Sequence, residues 1–468
     1  MPRAGVWVGL LLPLLTASHV LGAAPRAAPA MVGSAGVDAD GYPLKTVDKR
    51  AVLRLLRAKQ FDALDAWLVD LQTQFESDYH KEYWPLDALD AFSNVDPALE
   101  PLLDAWVAAK PDSYMALAAR GIHQQSVGWF KRGTRWACET PPENFEAMRE
   151  AHATALPDLD EALNRHPGLV AAHRALIKVA TANAAPIELK RRLLDQALVA
   201  CPECYQVRAT FIVGIRPRWG GSYAKMRAFA EESVSASSNG RLRLLAGYAD
   251  ADICSMLRHD GKLAASLAAC SRALAVGESA DFYDERARTL RKSNPAAALA
   301  DLDRALVLRP QRTDLLEKRS DLLMRLRKYS EHARDIALLK EIDPLERLDP
   351  GDVERAAQGL AYEASRQRKA GRAEDEVALL ERAIALEPDD LDNHRRLDAA
   401  LIRAGRRDKV PALWRRYLTR HPKDARAHYE LAGALHNLGR QPEALAEAAT
   451  ACRLGEQMGC QVTRRYGR

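Results

Sequence analysis

Aromatic residues are scarce in this chain of 468 residues: they make up 6% of it, whereas alanine is frequent. Such a composition suits close packing between helices better than a sandwich of strands, and strand-type alternation is nowhere sustained. An excess of one charge is lacking as well, since 68 basic residues stand against 63 acidic ones. This balance argues against the one-sided basic surface of a nucleic-acid-binding protein, so we expect no nucleic acid as a partner.

Motifs of the large enzyme classes are also missing. The sequence contains no Gly-x-Ser-x-Gly turn, no Walker phosphate loop, no Gly-x-Gly-x-x-Gly and no His-Glu-x-x-His. We therefore expect no catalytic residue, no cofactor and no metal site, although these absences leave an unknown chemistry open.

The first residues have the pattern of a secretory signal peptide. Arg3 supplies a positive charge, residues 6–15 form a short apolar run, and small residues near Gly22 and Ala23 offer a cleavage site. No segment is long and apolar enough for a comfortable membrane span. We predict a signal peptide over 1–23, a flexible leader over 24–46, and an exported mature chain, periplasmic or secreted, without a membrane span. An uncleaved anchor is the alternative.

The seven cysteines fit an exported chain, because an oxidising compartment allows disulfides to form. We predict three pairs of cysteines close in sequence: Cys201 with Cys204, Cys254 with Cys270, and Cys452 with Cys460. Cys138 is then left over. The Cys-x-x-Cys spacing of the first pair also occurs in redox and zinc sites, but no second such motif completes four zinc ligands. A structural staple is the favoured interpretation, and the connectivity stays open.

A repeat of 34 residues organises the C-terminal part. Pro310 and Pro344 are 34 residues apart, as are Pro388 and Pro422, and each follows an apolar helical pattern. Proline cannot donate the next backbone hydrogen bond, so it fits just beyond the end of a helix. Short turns that contain glycine separate the two helices of several units: Gly371, Gly405 and Gly439.

Residues 279–458 resemble the tetratricopeptide repeat family. Small residues stand where helices of that family pack closely: Ala305, Ala383 and Ala451 at repeat position 27, and Ala298 and Ala444 at position 20. Position 8 departs from the pattern with Arg286 and Asp398, and a ten-residue insertion near residues 345–354 divides the array. The resemblance implies an all-α fold of helical-hairpin repeats stacked as an α-solenoid, and we count five units, two of them loose. We expect residues 459–468 to form a C-terminal tail, of which residues 462–468 would seal the end of the stack if Cys452 and Cys460 form a bridge.

Residues 47–278 are predicted to form a helical domain of unknown function. Pro167 and Pro202 repeat the junction pattern at a spacing of 35 residues. Over about 45–300 the chain resembles a bacterial family, domain of unknown function 4034, through residues 56–64, 110–113, 131–133 and above all the Arg-Pro-Arg-Trp-Gly-Gly-Ser of residues 216–222. This resemblance implies an uncharacterised domain often found with helical repeats, and it implies no activity.

The tetratricopeptide resemblance implies a working surface on the first helix of each unit. The residues that it places in a partner-binding groove are Arg368, Lys369, Arg395, Arg403, Arg426, Tyr429, His436 and Asn437. Such a groove is net basic with one aromatic anchor, which favours an acidic peptide or a C-terminal carboxylate. The family's carboxylate clamp is not matched, because Arg395 and Ala399 replace its lysine and asparagine. A solvated face that binds nothing specific is the alternative.

A second candidate ligand site is the segment Arg216, Arg218, Trp219, Gly220, Gly221 and Ser222. Exposed amides at the start of a helix, with two arginines nearby, could hold an anion. The alternative is a tight glycine turn over a buried Trp219.

These patterns favour an exported protein-interaction scaffold that binds a protein or peptide, acidic by its charge. The alternative is an enzyme of unknown chemistry or a glycan-binding module in the N-terminal helical domain. The exposure of three tryptophans, Trp129, Trp136 and Trp219, separates the two hypotheses. Their convergence in an open cleft with acidic residues would favour the alternative, and their burial would weaken it.

Overall fold

A computed structural model describes residues 30–466, and in that range 24 α-helices follow one two-stranded sheet. The predicted fold class, an all-α stack of helical hairpins, is confirmed. No helix in this range is both long and apolar enough to cross a membrane. The predicted signal peptide over 1–23 lies outside the described residues.

The predicted flexible leader is wrong from residue 31 onward. Strands β1 (Met31–Val37) and β2 (Pro43–Val47) pair antiparallel. Between them Tyr42 is buried, with its ring 3.5 Å from the guanidinium carbon of Arg241, and its hydroxyl accepts a hydrogen bond from Asn239 at 2.7 Å. These partners lie about 200 residues away, so the local sequence pattern gave no sign of them.

Twelve helices lie between residues 49 and 276: α1 (Lys49–Arg57), α2 (Phe61–Ser77), α3 (Tyr83–Asp90), α4 (Glu100–Ala109), α5 (Tyr114–Arg132), α6 (Pro142–Arg165), α7 (Val170–Ala182), α8 (Ile187–Ala200), α9 (Tyr205–Gly214), α10 (Tyr223–Ser235), α11 (Gly247–His259) and α12 (Leu263–Val276). Helices α5 and α6 form a close hairpin. A Cβ atom on Gly121 would overlap Leu159, and one on Gly128 would overlap His152. Glycine at both positions therefore lets the two helices approach.

Twelve further helices complete the described chain: α13 (Ala280–Leu290), α14 (Pro295–Leu308), α15 (Thr313–Arg325), α16 (Tyr329–Ile342), α17 (Pro344–Arg347), α18 (Asp352–Lys369), α19 (Ala373–Leu386), α20 (Leu391–Arg403), α21 (Val410–Arg420), α22 (Ala425–His436), α23 (Gln441–Arg453) and α24 (Gln457–Tyr466). The five predicted units correspond to the hairpins α13–α14, α15–α16, α18–α19, α20–α21 and α22–α23. The predicted tail is mostly helical, since α24 packs on α23 with Gly459 close to Ala448 and Ala451.

The charged residues at repeat position 8 are accommodated by partners on the second helix of their own hairpin. Arg286 donates two hydrogen bonds to the buried carboxylate of Asp301, at 2.8 and 2.6 Å. Asp398 accepts a hydrogen bond of 2.8 Å from the indole nitrogen of Trp414. Each pair satisfies polar atoms between two helices, where an unpaired group would be costly.

The hydrophobic core does not divide at the predicted boundary between residues 278 and 279. One cluster of buried apolar side chains runs from Val47 to Ile342, and a second runs from Ala361 to Ala444. A third, smaller cluster, which includes Ile336 and Leu360, packs across the insertion near 345–354 and joins α16 to α18. Below, residues 30–348 are called the closed body and residues 352–466 the C-terminal array.

The closed body takes its name from contacts between its two ends. Arg309 pairs with the carboxylate of Asp87, and its guanidinium carbon lies 3.9 Å from the ring centre of Tyr83. The backbone N–H of Lys49 donates to the side-chain oxygen of Gln311 at 2.7 Å. These contacts join residues more than 200 positions apart, so the first helices meet α14 and the turn after it.

Loss of the Arg309–Asp87 pair should destabilise the closed body. The variant Arg309→Met leaves the buried Asp87 carboxylate without its guanidinium partner, and we expect the free energy of unfolding to fall by about 3 kcal/mol. Urea denaturation followed by tryptophan fluorescence measures this change. The matched control Arg304→Met removes an exposed pair with Glu278 and should cost less than about 1 kcal/mol. Equal losses in the two variants would contradict a closing role for Arg309.

Candidate functional site

A cavity of about 660 Å³ lies inside the closed body, and residues from Asp38 to Arg347 line it. This volume is in the range of pockets that hold small molecules. Its wall includes residues four positions apart on three helices: Gln125 and Trp129 on α5, Arg174 and Lys178 on α7, and Gln206 and Thr210 on α9. Residues at this spacing share one helix face, so these helices turn polar faces toward a common space.

Nine basic and eight acidic side chains line the cavity, so its charge is close to balanced. Most of the basic groups are engaged in ion pairs with neighbouring carboxylates. Examples are Lys49 with Asp90, Arg241 with Asp38 and Arg309 with Asp87. Such pairs hold the wall together rather than offering free charge to a ligand.

Two cations in the wall are not paired in this way. Arg174 and Lys178 have no carboxylate oxygen within 4.0 Å among residues 30–466. Arg174 uses its Nε–H to donate to the hydroxyl of Thr210 at 2.9 Å. Burial, followed by the charge of Arg174, lowers the pKa of Lys178 to about 8. Sequence reasoning missed both residues, although two cations four positions apart, with only apolar residues between them, were a visible signal.

The predicted segment Arg216–Ser222 borders the cavity through its first residues. Arg216 and Arg218 both pair with the buried carboxylate of Asp252, at 3.3 and 2.6 Å. The buried ammonium of Lys190 donates to the backbone carbonyl of Trp219 at 3.0 Å. These interactions fix the segment against α8 and α11, and the two arginines share the single carboxylate of Asp252.

The amides of this segment close the turn on itself. The N–H groups of Trp219 and Gly221 both donate to the carbonyl of Arg216, at 2.9 and 3.1 Å, and that of Gly220 donates to Pro217 at 3.2 Å. They are therefore not free to hold an anion, which departs from the sequence expectation. A Cβ atom on Gly221 would overlap the carbonyl of Ile215, so only glycine fits there. Ser222 caps α10 by accepting a hydrogen bond from the backbone N–H of Lys225 at 3.1 Å.

Two of the three tryptophans singled out in the sequence meet at the cavity. The rings of Trp129 and Trp219 pack edge to face with centres 6.1 Å apart, and both line the cavity. Trp136 lies elsewhere, 40% exposed, with its ring centre 4.9 Å from that of His259. This partial convergence of tryptophan with acidic residues is compatible with a small-molecule ligand in the closed body.

The predicted groove residues lie on the first helices of three successive hairpins in the C-terminal array. Arg368 and Lys369, in the last turn of α18, are exposed. Arg395 on α20 and Arg426 on α22 both reach Glu430, at 3.3 and 2.9 Å. A shared carboxylate shows that α20 and α22 present these two arginines to one surface.

The remaining groove residues have closer protein partners. Arg403 donates to Glu376 at 2.7 Å, and His436 lies 3.0 Å from the side-chain oxygen of Gln441. The Tyr429 ring centre lies 5.1 Å from the guanidinium carbon of Arg426. Asn437 is exposed beside His436. Whether this surface binds a partner stays a prediction.

The structure places six cysteines in the three expected pairs at bonding distance. The Cα–Cα distances are 5.4 Å for Cys201–Cys204, 5.3 Å for Cys254–Cys270 and 4.5 Å for Cys452–Cys460. Cys138 is exposed and unpaired among the described residues.

Behind the cavity wall lies a buried carboxyl group that the sequence did not reveal. The side chain of Glu82 accepts hydrogen bonds of 3.1 Å from the backbone N–H groups of Tyr205 and Gln206, both cavity-lining residues. Burial raises the pKa of Glu82 to about 7 despite these hydrogen bonds. Glu82 thus joins α9 to the start of α3 and keeps its proton in the folded chain through mildly acidic conditions.

The stability of the closed body should fall as pH rises from about 4.5 to about 7. In that window the unfolded chain has lost the Glu82 proton while the folded chain still holds it, so the folded state is favoured most at the acidic end. The variant Glu82→Gln cannot titrate but can still accept the two hydrogen bonds. We expect the free energy of unfolding of the wild type, relative to Glu82→Gln, to drop by up to about 3 kcal/mol across the window. Parallel denaturation curves for the two proteins would contradict this assignment.

Comparison with known proteins supports the resemblance over part of the closed body. Residues 49–194 match the model of a family described as "Domain of unknown function (DUF4034)". The match ends before the Arg216–Ser222 segment, on which the resemblance in sequence mainly rested. No protein with a curated description matches the chain significantly.

Several solved structures of tetratricopeptide repeat proteins are similar to the chain at low identity. The P58(IPK) repeat domain is 16% identical, with a TM-score of 0.23, and the match covers 86% of this chain and 98% of that one. A repeat protein from Parabacteroides merdae is 14% identical, with a TM-score of 0.21 and coverage of 62% and 98%. A third, from Thermus thermophilus, is 21% identical, with a TM-score of 0.20 and coverage of 40% and 97%. TM-scores of this size support no inference about shape, so the architecture rests on the helices of this chain.

Proposed function

We propose that this chain is a protein-interaction scaffold whose C-terminal array binds an acidic peptide or protein segment. The observation that carries the proposal is the series of cations on α18, α20 and α22. Arg368 and Lys369 are exposed and have no carboxylate within 4.0 Å among the described residues. They offer charge that an acidic segment can neutralise with charge-assisted hydrogen bonds.

The balance of charge on this surface favours an acidic partner. Three of its five cations, Arg395, Arg403 and Arg426, share two carboxylates within 3.5 Å. Further carboxylates stand 3.7 Å from Arg395 and 3.9 Å from Arg426. The unneutralised charge is therefore concentrated at Arg368 and Lys369 on α18, and Tyr429 supplies an aromatic contact beside Arg426 on α22.

We further propose that the protein works outside the cytoplasm, in the periplasm or after secretion. The signal-like first residues and the three cysteine pairs support this proposal, because structural disulfides persist in oxidising compartments. Apart from the presence of the cavity, no side chain of the closed body supports a catalytic role there. The cavity favours a binding role, whose chemistry is a separate question.

Reversing the unpaired charges should abolish partner binding. In the variant Arg368→Glu with Lys369→Glu, the array surface becomes acidic and should repel an acidic peptide. We expect at least about a tenfold loss of affinity, since two charge-assisted hydrogen bonds disappear. Panning an acidic peptide library against the full chain identifies a ligand, and fluorescence anisotropy then measures its affinity for each variant.

A matched control reverses two positive charges elsewhere on the array. Arg407 and Arg416 are exposed and lie outside the predicted groove, so Arg407→Glu with Arg416→Glu should bind as the wild type does. Equal weakening in both variants would indicate non-specific attraction to a basic protein. Unchanged binding in both would show that the groove is assigned to the wrong residues.

Peptide mapping of the exported protein without reductant should show three local disulfides. We expect Cys201–Cys204, Cys254–Cys270 and Cys452–Cys460, with Cys138 alone alkylated. Replacing both Cys254 and Cys270 with alanine should lower the free energy of unfolding by about 3 kcal/mol, the value for a loop of this length. Cys138 in a disulfide, or full alkylation of all seven, would contradict the assignment.

A further inference from the structure

Arg174 and Lys178 on α7 are the two cations of the cavity wall that have no carboxylate within 4.0 Å among residues 30–466. Arg174 and Lys178 stand four positions apart on one face of the helix, where like charges repel. Both side chains border the cavity, and burial lowers the pKa of each. A folded chain keeps such a pair at a cost in stability unless an anion joins it.

Neighbouring carboxylates offset this pair only from a distance. Lys49 and Arg309 add two cations near the pair, and their own partners, Asp90 and Asp87, bind those two residues directly. Asp90 also attracts Arg174 and Lys178, and Glu82 attracts Arg174, but each of these carboxylates lies beyond 4.0 Å from the pair. No carboxylate among the described residues therefore contacts Arg174 or Lys178 directly.

The rest of the wall is equipped for a small polar molecule. Gln125 and Ser126 on α5 border the cavity and offer an amide and a hydroxyl group, and the Thr181 hydroxyl on α7, which donates to the carbonyl of Ile177, can still accept a hydrogen bond. Trp129 and Trp219 add apolar ring surface on one side. A volume of about 660 Å³ accommodates a molecule of one or two rings.

We propose that the closed body binds a small molecule through an oxyanion, a phosphate or a carboxylate, held between Arg174 and Lys178. Phosphate and carboxylate share the chemistry that these two residues recognise: a guanidinium and an ammonium each donate charge-assisted hydrogen bonds to anionic oxygens. The polar and aromatic wall then contacts the remainder of the ligand. This site goes beyond the proposed scaffold function and does not depend on the C-terminal array.

Thermal unfolding of the full chain tests the site with defined probes. Sodium phosphate, sodium pyrophosphate and sodium citrate are added in turn, with sodium chloride at matched ionic strength as the blank. We expect at least one oxyanion to raise the Tm by about 4 °C or more at saturation. Stabilisation by the phosphates alone assigns a phosphate ligand, and stabilisation by citrate alone assigns a carboxylate. No stabilisation beyond chloride by any probe overturns the proposal.

The double variant Arg174→Gln with Lys178→Gln should bind the effective oxyanion at least about tenfold more weakly by isothermal titration. Its Tm without ligand should equal or exceed that of the wild type, because the repulsion is removed. The control Arg407→Gln with Arg416→Gln removes two exposed charges and should leave binding unchanged. Undiminished binding in the double variant, or equal loss in the control, overturns the assignment.

Labelling of the wild-type protein tests the site even where the double variant fails to fold. Acetic anhydride modifies free amines, so a bound oxyanion should slow acetylation of Lys178 at least threefold while the exposed Lys409 reacts at its usual rate. Lys178→Arg keeps the charge and should retain affinity within about threefold. Equal acetylation of Lys178 with and without the oxyanion overturns the proposal.

The Arg368→Glu, Lys369→Glu variant should bind the oxyanion normally, which separates this site from the peptide groove.

Discussion

The contact of Arg309 with Asp87 and the ring of Tyr83 is the constraint on which the closed body depends. Helical hairpins stacked in sequence contact mainly their neighbours, and such an array can remain open. Here the third helix meets the end of the fourteenth, so the stack returns on itself around a space that remains partly open to solvent. The cavity, its charged wall and the burial of Glu82 behind it all follow from that closure.

Closure also explains why so many charges are buried in one region. A wall made from the inner faces of many helices carries polar residues that an open array would expose to water. Once enclosed, each charge needs a partner, and Arg241 with Asp38 is one of the pairs that meet this need. Arg174 and Lys178 stand out because they lack such a partner, whereas the cations of the C-terminal array remain largely in solvent, where an unpaired charge costs little.

Features of this fold that depend on neighbouring residues could be predicted from the sequence, whereas contacts between residues far apart in the chain could not. Prolines such as Pro388 and Pro422 end helices through their own backbone chemistry, so the hairpins and their spacing are visible in the chain. The structure also places the cysteines in pairs that were chosen for nearness in sequence. By contrast, the hydrogen bond from Lys49 to Gln311 spans 262 positions, and no local pattern indicates it. The strands, the closure and the cavity belong to this second kind. So do Arg174 and Lys178, whose role depends on what faces them.

The N-terminal β-hairpin has a consequence for the order in which the chain is assembled. Tyr42 is made early in synthesis, but Asn239 and Arg241, which hold it, follow about 200 residues later. Contacts between such distant positions form late, because a long loop must be closed first. The β-hairpin that begins the described part of the chain is thus among the last elements to settle. Until then Tyr42 lacks the partners that bury it, and its ring is open to contact with a chaperone or another chain.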